Sequence, residues 1–129
     1  MSLIKSGNLN NELLKNPQTR GWFVGHFIGD SFGIKSDELE IKWGTHKKGE
    51  TFDKIRANKN GKSLSILISG KAKISFPDEK KEVILSNQGD FVFWEAGIFH
   101  TSKIIEDSFF LTIRWPCIPN DVIIKQDKN

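Results

Sequence analysis

From residue 38 onward the chain alternates. Glu38 to Trp43 sets Leu39, Ile41 and Trp43 against Glu38, Glu40 and Lys42, and Lys62 to Ser69 sets Leu64, Ile66 and Ile68 against serines. Lys71 to Phe76 runs through Ala72, Ile74 and Phe76, and Ser108 to Trp115 carries Phe109, Leu111, Ile113 and Trp115 on one side. A period of two marks a half-buried β-strand. The pattern therefore predicts strands over these stretches, and shorter ones over Glu82–Leu85, Phe91–Trp94 and Thr101–Ile105. Leu39, Ile41, Leu64, Ile66, Ile68, Ile74, Phe91, Phe93, Leu111 and Ile113 are assigned to the core. Thr51 to Ala57 is a weaker strand, with Phe52 and Ile55 as its apolar members. Gly21 to Ile28 is apolar on both faces, which predicts a strand covered on both sides.

Turn signals separate the strands. Asn60-Gly61 is a hairpin signal, Gly70 breaks the run before Lys71, and Pro77-Asp78-Glu79 and Gly89 mark further turns. Pro116 and Pro119 end regular structure, because proline cannot donate to a ladder. Val122-Ile123-Ile124 is a small apolar patch before a polar tail. Residues 1–20 are polar and Asn-rich, with one or two helical turns expected from Asn10 to Leu14, stopped before Pro17. Short strands at intervals of roughly 8–12 residues predict an all-β sandwich or barrel. The expected division is an N-terminal arm, 1–20, and one β domain, 21–125.

Composition narrows the class. The 129 residues fit one domain, and the formal charge of +3 comes from lysines interleaved with Asp and Glu. That spread argues against a nucleic-acid surface, where basic residues cluster on one face. No apolar run approaches the ~18 residues of a membrane helix, no signal segment is apparent, and Cys117 has no partner for a disulfide. A soluble cytoplasmic protein is expected.

Gly89, Gly97 and His100 stand at the spacing Gly, five residues, x-x-Gly, two residues, His. This resembles the second motif of the cupins, with Glu95 where that motif has proline. Gly70 matches the glycine that closes the first cupin motif. The Trp43-Gly44-x-His46-x-x-Gly49-Glu50 run and Leu111-Thr112-Ile113-Arg114-Trp115-Pro116 resemble a narrower group of small single-domain cupins. The resemblance implies a single double-stranded β-helix, the jelly-roll barrel, with a ligand site inside it. It also marks a departure. The first motif's glutamate falls on Ser63 and its two histidines fall near Arg56–Lys59, so His100 alone remains of the usual metal ligands. One histidine is not a metal site.

The candidate site residues follow from these positions. His100, at the exit of a buried strand, is a ligand-binding or acid–base imidazole or a core histidine bonded to a carbonyl. His46 joins it, or is an exposed loop histidine. Glu95 is a base at the pocket mouth or an exposed turn residue. Arg56 is a clamp for a carboxylate or phosphate, with Glu50 and Asp53 on the same segment, or all three belong to a solvent-facing salt-bridge set. Trp43, Trp94 and Trp115 line an apolar pocket or are plain core aromatics. His26 reads as a core or interface histidine, and Cys117 has no basic neighbour in sequence to make it a nucleophile.

The expected function is small-molecule binding in the barrel without the usual metal. The alternatives are an isomerase- or dioxygenase-type enzyme with a divalent metal on His100 and His46, and a dimeric interaction protein. A homodimer is expected, with the Gly21–Ile28 strand packed across or exchanged between subunits.

Overall fold

The computed structural model describes residues 3–29, 32–52 and 54–126. Two long strands organise it: β5 (Lys62–Phe76) and β8 (Thr101–Trp115), with β1 (Trp22–Gly25), β2 (Ile34–Lys35), β3 (Glu40–His46), β4 (Arg56–Asn58), β6 (Lys81–Leu85), β7 (Phe91–Trp94) and β9 (Val122–Ile124) around them. The large sheet runs β2-β1-β3-β8-β5-β6, with β7 also on β5, and β4 pairs with β9 in a small second sheet. All these pairings are antiparallel except β1 with β2.

Sequence reading divides each long strand in two; the structure joins the halves. The β5–β8 register shifts between Leu67 and Ala72. Bulges of this kind bend a strand, so one pair of strands serves two layers. The first halves of β5 and β7 stand with β3 and the end of β8. The second half of β5 stands with β6 and the start of β8. Gly70 makes the bend: its φ is +104°, and a Cβ there would collide with the Asp107 carbonyl and Ser108. The Ser108 hydroxyl occupies that space and accepts from the Lys71 N–H at 3.0 Å.

The inner faces of the two layers meet in a core of Leu67, Ala72, Ile74, Phe76, Leu85, Val92, Trp94, Ile104 and Phe110. Of the residues assigned to the core from the sequence, Ile74 alone belongs to it. Residues opposite each other across an antiparallel pair share a face. The register therefore puts Ile41, Leu64, Ile66, Phe91, Phe93, Leu111, Ile113 and Trp115 together on the outer face. Phe91 and Phe93 are 64% and 44% exposed, and the others are half-buried. Glu40, Lys42, Ser63, Ser65, Thr112 and Arg114 take the inner face instead. The alternation is as read; its phase is reversed in β3, β7, the first half of β5 and the end of β8, and is as read in the second half of β5, where Ala72, Ile74 and Phe76 are buried.

Other corrections are local. The Gly21–Ile28 segment is strand only as far as Gly25, with Phe27 exposed and Ile28 buried. Thr51–Ala57 reduces to a bridge at Thr51 and the start of β4. The Asn60-Gly61 turn makes no hairpin between β4 and β5. It wraps the buried Asp121 carboxylate, which accepts from the Asn60 and Gly61 N–H groups at 2.9 and 2.8 Å and from the Asn58 and Asn60 amides at 3.3 and 3.1 Å. Helix α1 (Leu9–Lys15) is capped by Asn8, whose side chain accepts from Asn11 N–H. No helix among the described residues is long and apolar enough to cross a membrane.

Candidate functional site

Between the layers lies a cavity of about 830 Å³, which extends to Leu13 and Leu14 of the N-terminal helix. Its wall is made by the inner face of β3, β5 and β8, and by the segment leading into β4.

Lys42, Arg114 and the left-handed Arg20 line the cavity, as do Lys54 from the segment before β4 and Arg56 from the first position of β4. No acidic residue lines the cavity among the described residues. Arg114 is half-buried, with Glu40 as ion-pair partner at 3.7 Å and the Trp22 ring 4.7 Å from its guanidinium carbon. The Lys42 amine lies 5.9 Å from the same ring. Indole faces attract cations. Burial first, then the charges of Arg114 and Arg20, push the Lys42 pKa down to about 8.

His100 enters through a backbone bridge: its N–H donates to the Arg56 carbonyl at 2.9 Å, and the Arg56 N–H donates to the His100 carbonyl at 3.1 Å. Its ring sits 4.4 Å from the Trp94 ring between centroids, and Nδ1 is 3.3 Å from the Ile98 carbonyl. Burial, followed by Arg114 and Arg56, pushes its pKa down to about 4 despite that carbonyl. At neutral pH the imidazole is uncharged, donating from Nδ1 and accepting at Nε2. His46 ends β3, with Nδ1 2.9 Å from Glu50 and its ring edge-on to Phe52 and Phe110.

Two buried donors in the wall lack protein partners among the described residues: Trp94 Nε1 and Arg114 Nε. Buried polar groups are rarely left so. The Ser65 and Thr112 hydroxyls, 3.0 Å apart, add donors beside them.

The structure therefore brings His46, His100, Arg56 and Trp94 to one cavity. Trp43 sits on the other face of β3 and reaches the rim, its indole N–H donating to Asn10 at 2.9 Å. Glu95 is exposed in the turn after β7, away from the cavity lining. Asp53 lies outside the described residues. Lys42 and Arg114 were missed, having been read as the solvent side of their strands. The signal for them is the run of small or charged inner positions at Ser63, Ser65, Thr112 and Arg114, which a closed apolar core would not hold.

Among the described residues, the donors inside the barrel do not suit a metal. Arg56 stands across the bridge from His100, the position where the resemblance would place histidines, and Arg114 and Lys42 add further positive charge. His46 is tied to Glu50. Ligands of a divalent ion converge as neutral imidazoles and carboxylates, and here the charges that act on His100 are those of Arg114 and Arg56.

No protein-family model matches the sequence, and no curated protein matches it. Solved structures do. The DMSP lyase DddQ of Ruegeria pomeroyi DSS-3 is 15% identical with a TM-score of 0.64, over 81% of this chain and 49% of that one, so the chain spans about half its length. KdgF of Halomonas sp. is 15% identical with a TM-score of 0.57, over 66% and 74% of the two chains. An uncharacterized Klebsiella pneumoniae protein with a double-stranded β-helix domain is 16% identical with a TM-score of 0.60, over 71% and 78%. At such identities the likeness speaks to fold, and with the two-layered strand pairing above it fixes the architecture: the chain has the all-β, double-stranded β-helix fold of the cupins.

Proposed function

We propose that the barrel binds a small organic anion. The observation that carries this reading is a cavity into which Lys42, Arg56 and Arg114 project with no acidic residue among its described lining. A carboxylate or phosphate seated there gains charge-assisted hydrogen bonds from the guanidinium groups. Trp22, Trp94 and Phe110 provide apolar walls for the rest of the molecule, and neutral His100 offers an acceptor at Nε2, its Nδ1–H being held by the Ile98 carbonyl. Binding is favoured over metal-dependent isomerase or dioxygenase chemistry, since the cations around His100 repel a divalent ion.

The test is calorimetric titration with succinate, malonate, citrate and inorganic phosphate. At least one should bind, and Arg114→Gln should weaken it by about tenfold or more, the value of a lost charged hydrogen bond. Failure of all four, or unchanged affinity in Arg114→Gln, sinks the reading.

A second reading rests on a different observation, the apolar outer face of β5, β7 and β8. Phe93 stacks on Trp115 there at 6.0 Å, and Phe91 is the more exposed of the two phenylalanines. A patch of this breadth marks an interaction surface, and a second copy of the chain is the partner that makes it self-complementary. On this reading the dimer contact is this sheet face; the Gly21–Ile28 strand, packed across or exchanged between subunits, is the other candidate contact. Light scattering should find a dimer that Phe91→Lys with Phe93→Lys turns into a folded monomer. A monomeric wild type at micromolar concentration rejects it.

A further inference from the structure

Outside the cavity, three potential ligands converge at the end of the barrel. His26 follows β1, Glu40 opens β3, and Cys117 follows β8, and one ligand atom from each lies within 4.8 Å of the others. None of the three lines the cavity described above. His26 Nδ1 is 2.7 Å from Cys117 Sγ, and Sγ is 3.6 Å from Glu40 Oε2. Cys117 and Glu40 are buried, at 6% and 9% exposure, and His26 is half-buried.

We infer that His26, Glu40 and Cys117 form a binding site for one zinc-like divalent cation, outside the anion cavity and joined to it through the Glu40–Arg114 ion pair. The ligand set is the first argument. Thiolate, imidazole and carboxylate are the three zinc donors, and three protein ligands with an open fourth position is a recognised arrangement. Distances are the second. Around a tetrahedral zinc with bonds of about 2.0–2.3 Å, neighbouring donors stand roughly 3.3–3.6 Å apart. The thiol–carboxylate spacing already matches. The imidazole would withdraw by less than about 1 Å, a small rotation for a side chain on the irregular backbone after Gly25.

The support behind the ligands points the same way. The other oxygen of Glu40 is oriented by Arg114 at 3.7 Å, leaving Oε2 for the cluster. His26 is braced edge-on by Phe27 at 5.2 Å between ring centroids, and Cys117 sits between Pro116 and Pro119. Outer partners that fix ligand orientation in this way are a regular part of metal sites. A nucleophilic cysteine fits less well: burial pushes the Cys117 thiol up and Glu40 adds to it, although the His26 N–H opposes them. A bound cation reverses that balance by taking the thiolate directly.

Cobalt(II) tests the site, because it takes zinc positions and reports its ligands. Full-length reduced protein without a His-tag, freed of metal by a chelator, is titrated with Co²⁺. The expected result is saturation at one equivalent, with the visible bands of four-coordinate cobalt and a near-ultraviolet thiolate charge-transfer band, both discharged by Zn²⁺. His26→Gln and Glu40→Gln should each weaken binding by about tenfold or more, while His100→Ala leaves it unchanged. Cys117→Ser should abolish the charge-transfer band; should that variant not fold by circular dichroism, the His26→Gln titration decides. Absence of the band at saturating cobalt, indifference to both His26→Gln and Glu40→Gln, or loss in His100→Ala overturns the assignment.

Discussion

Raising the pH from 7 to 9 should weaken anion binding through one residue, Lys42. Its amine is pushed from 10.5 down to about 8 by burial, with Arg114 and Arg20 adding to the effect. In the free protein it is therefore about nine-tenths charged at pH 7 and about one-tenth charged at pH 9. A bound carboxylate in the same cavity favours the ammonium, so the pKa is higher in the complex. Between the free and bound pKa values, binding takes up one proton and each pH unit lowers the affinity about tenfold. Affinity should be flat below pH 7 and fall with a slope near −1 above pH 8. His100 adds nothing to this slope, being neutral throughout. Calorimetry at pH 7, 8 and 9, in two buffers of different ionisation heat, measures the affinity and counts the proton directly, using the tightest ligand among those four anions. Lys42→Met keeps the length and removes the charge; it should bind more weakly at pH 7 and show no slope. Constant wild-type affinity from pH 7 to 9, or a slope that survives in Lys42→Met, would refute the reasoning.

The remaining predictions concern the frame of the site. His100 should titrate near pH 4 by proton NMR of its ring, since its pKa is lowered to about 4. The unfolded chain takes up that proton near 6.5, so stability should fall as pH drops from about 6.5 to 4, by up to on the order of 3 kcal/mol, and His100→Gln should flatten this limb of a urea-melt series. Gly70→Ala combines a φ of +104° with a collision against Asp107 and Ser108; it should cost more than about 2 kcal/mol in urea, against about 1 kcal/mol for Gly89→Ala, whose Cβ would meet open space. Asp121→Ala strands the Asn60 and Gly61 N–H groups and the Asn58 amide; a loss of about 3 kcal/mol is expected, roughly 10 °C in Tm, and a loss under about 1 kcal/mol would mean water replaces the carboxylate freely.

Strand existence was legible because alternation is local. Glu82–Leu85 and Phe91–Trp94 stand within a residue of where the pattern puts them. The long strands were split at Gly70 and at Glu106-Asp107, because a bulge and a turn write the same residues into a sequence. The Asn60-Gly61 hairpin failed for a related reason: its N–H groups go to Asp121, some sixty residues away, and no local rule sees a buried carboxylate arriving from there. His46, His100, Arg56 and Trp94 were reachable from the motif spacing. The His26–Glu40–Cys117 cluster was not, since its members come from three separate elements.

The reversed phase of β3, the first half of β5 and the end of β8 has a physical source. Alternation gives the period of a strand and leaves open which side faces in, and a shift of one residue exchanges the two faces entirely. Apolar-in is the natural choice when a single face must be buried. Here both faces have something to cover. Had Leu64, Ile66, Leu111 and Ile113 turned inward, the space between the layers would fill with hydrocarbon, and Lys42, Arg114, Ser65 and Thr112 would stand in solvent. The observed phase keeps the small and charged side chains around the cavity. It leaves the remaining core work to the second layer, where Ala72, Ile74, Phe76, Leu85 and Ile104 are buried. The same choice leaves Phe91 and Phe93 on the outside. A polar cavity and an apolar outer face are thus two consequences of one register. The anion-binding reading and the dimer reading are linked through it: the register that holds charge inside the barrel is the register that leaves an apolar face outside for a second copy to cover.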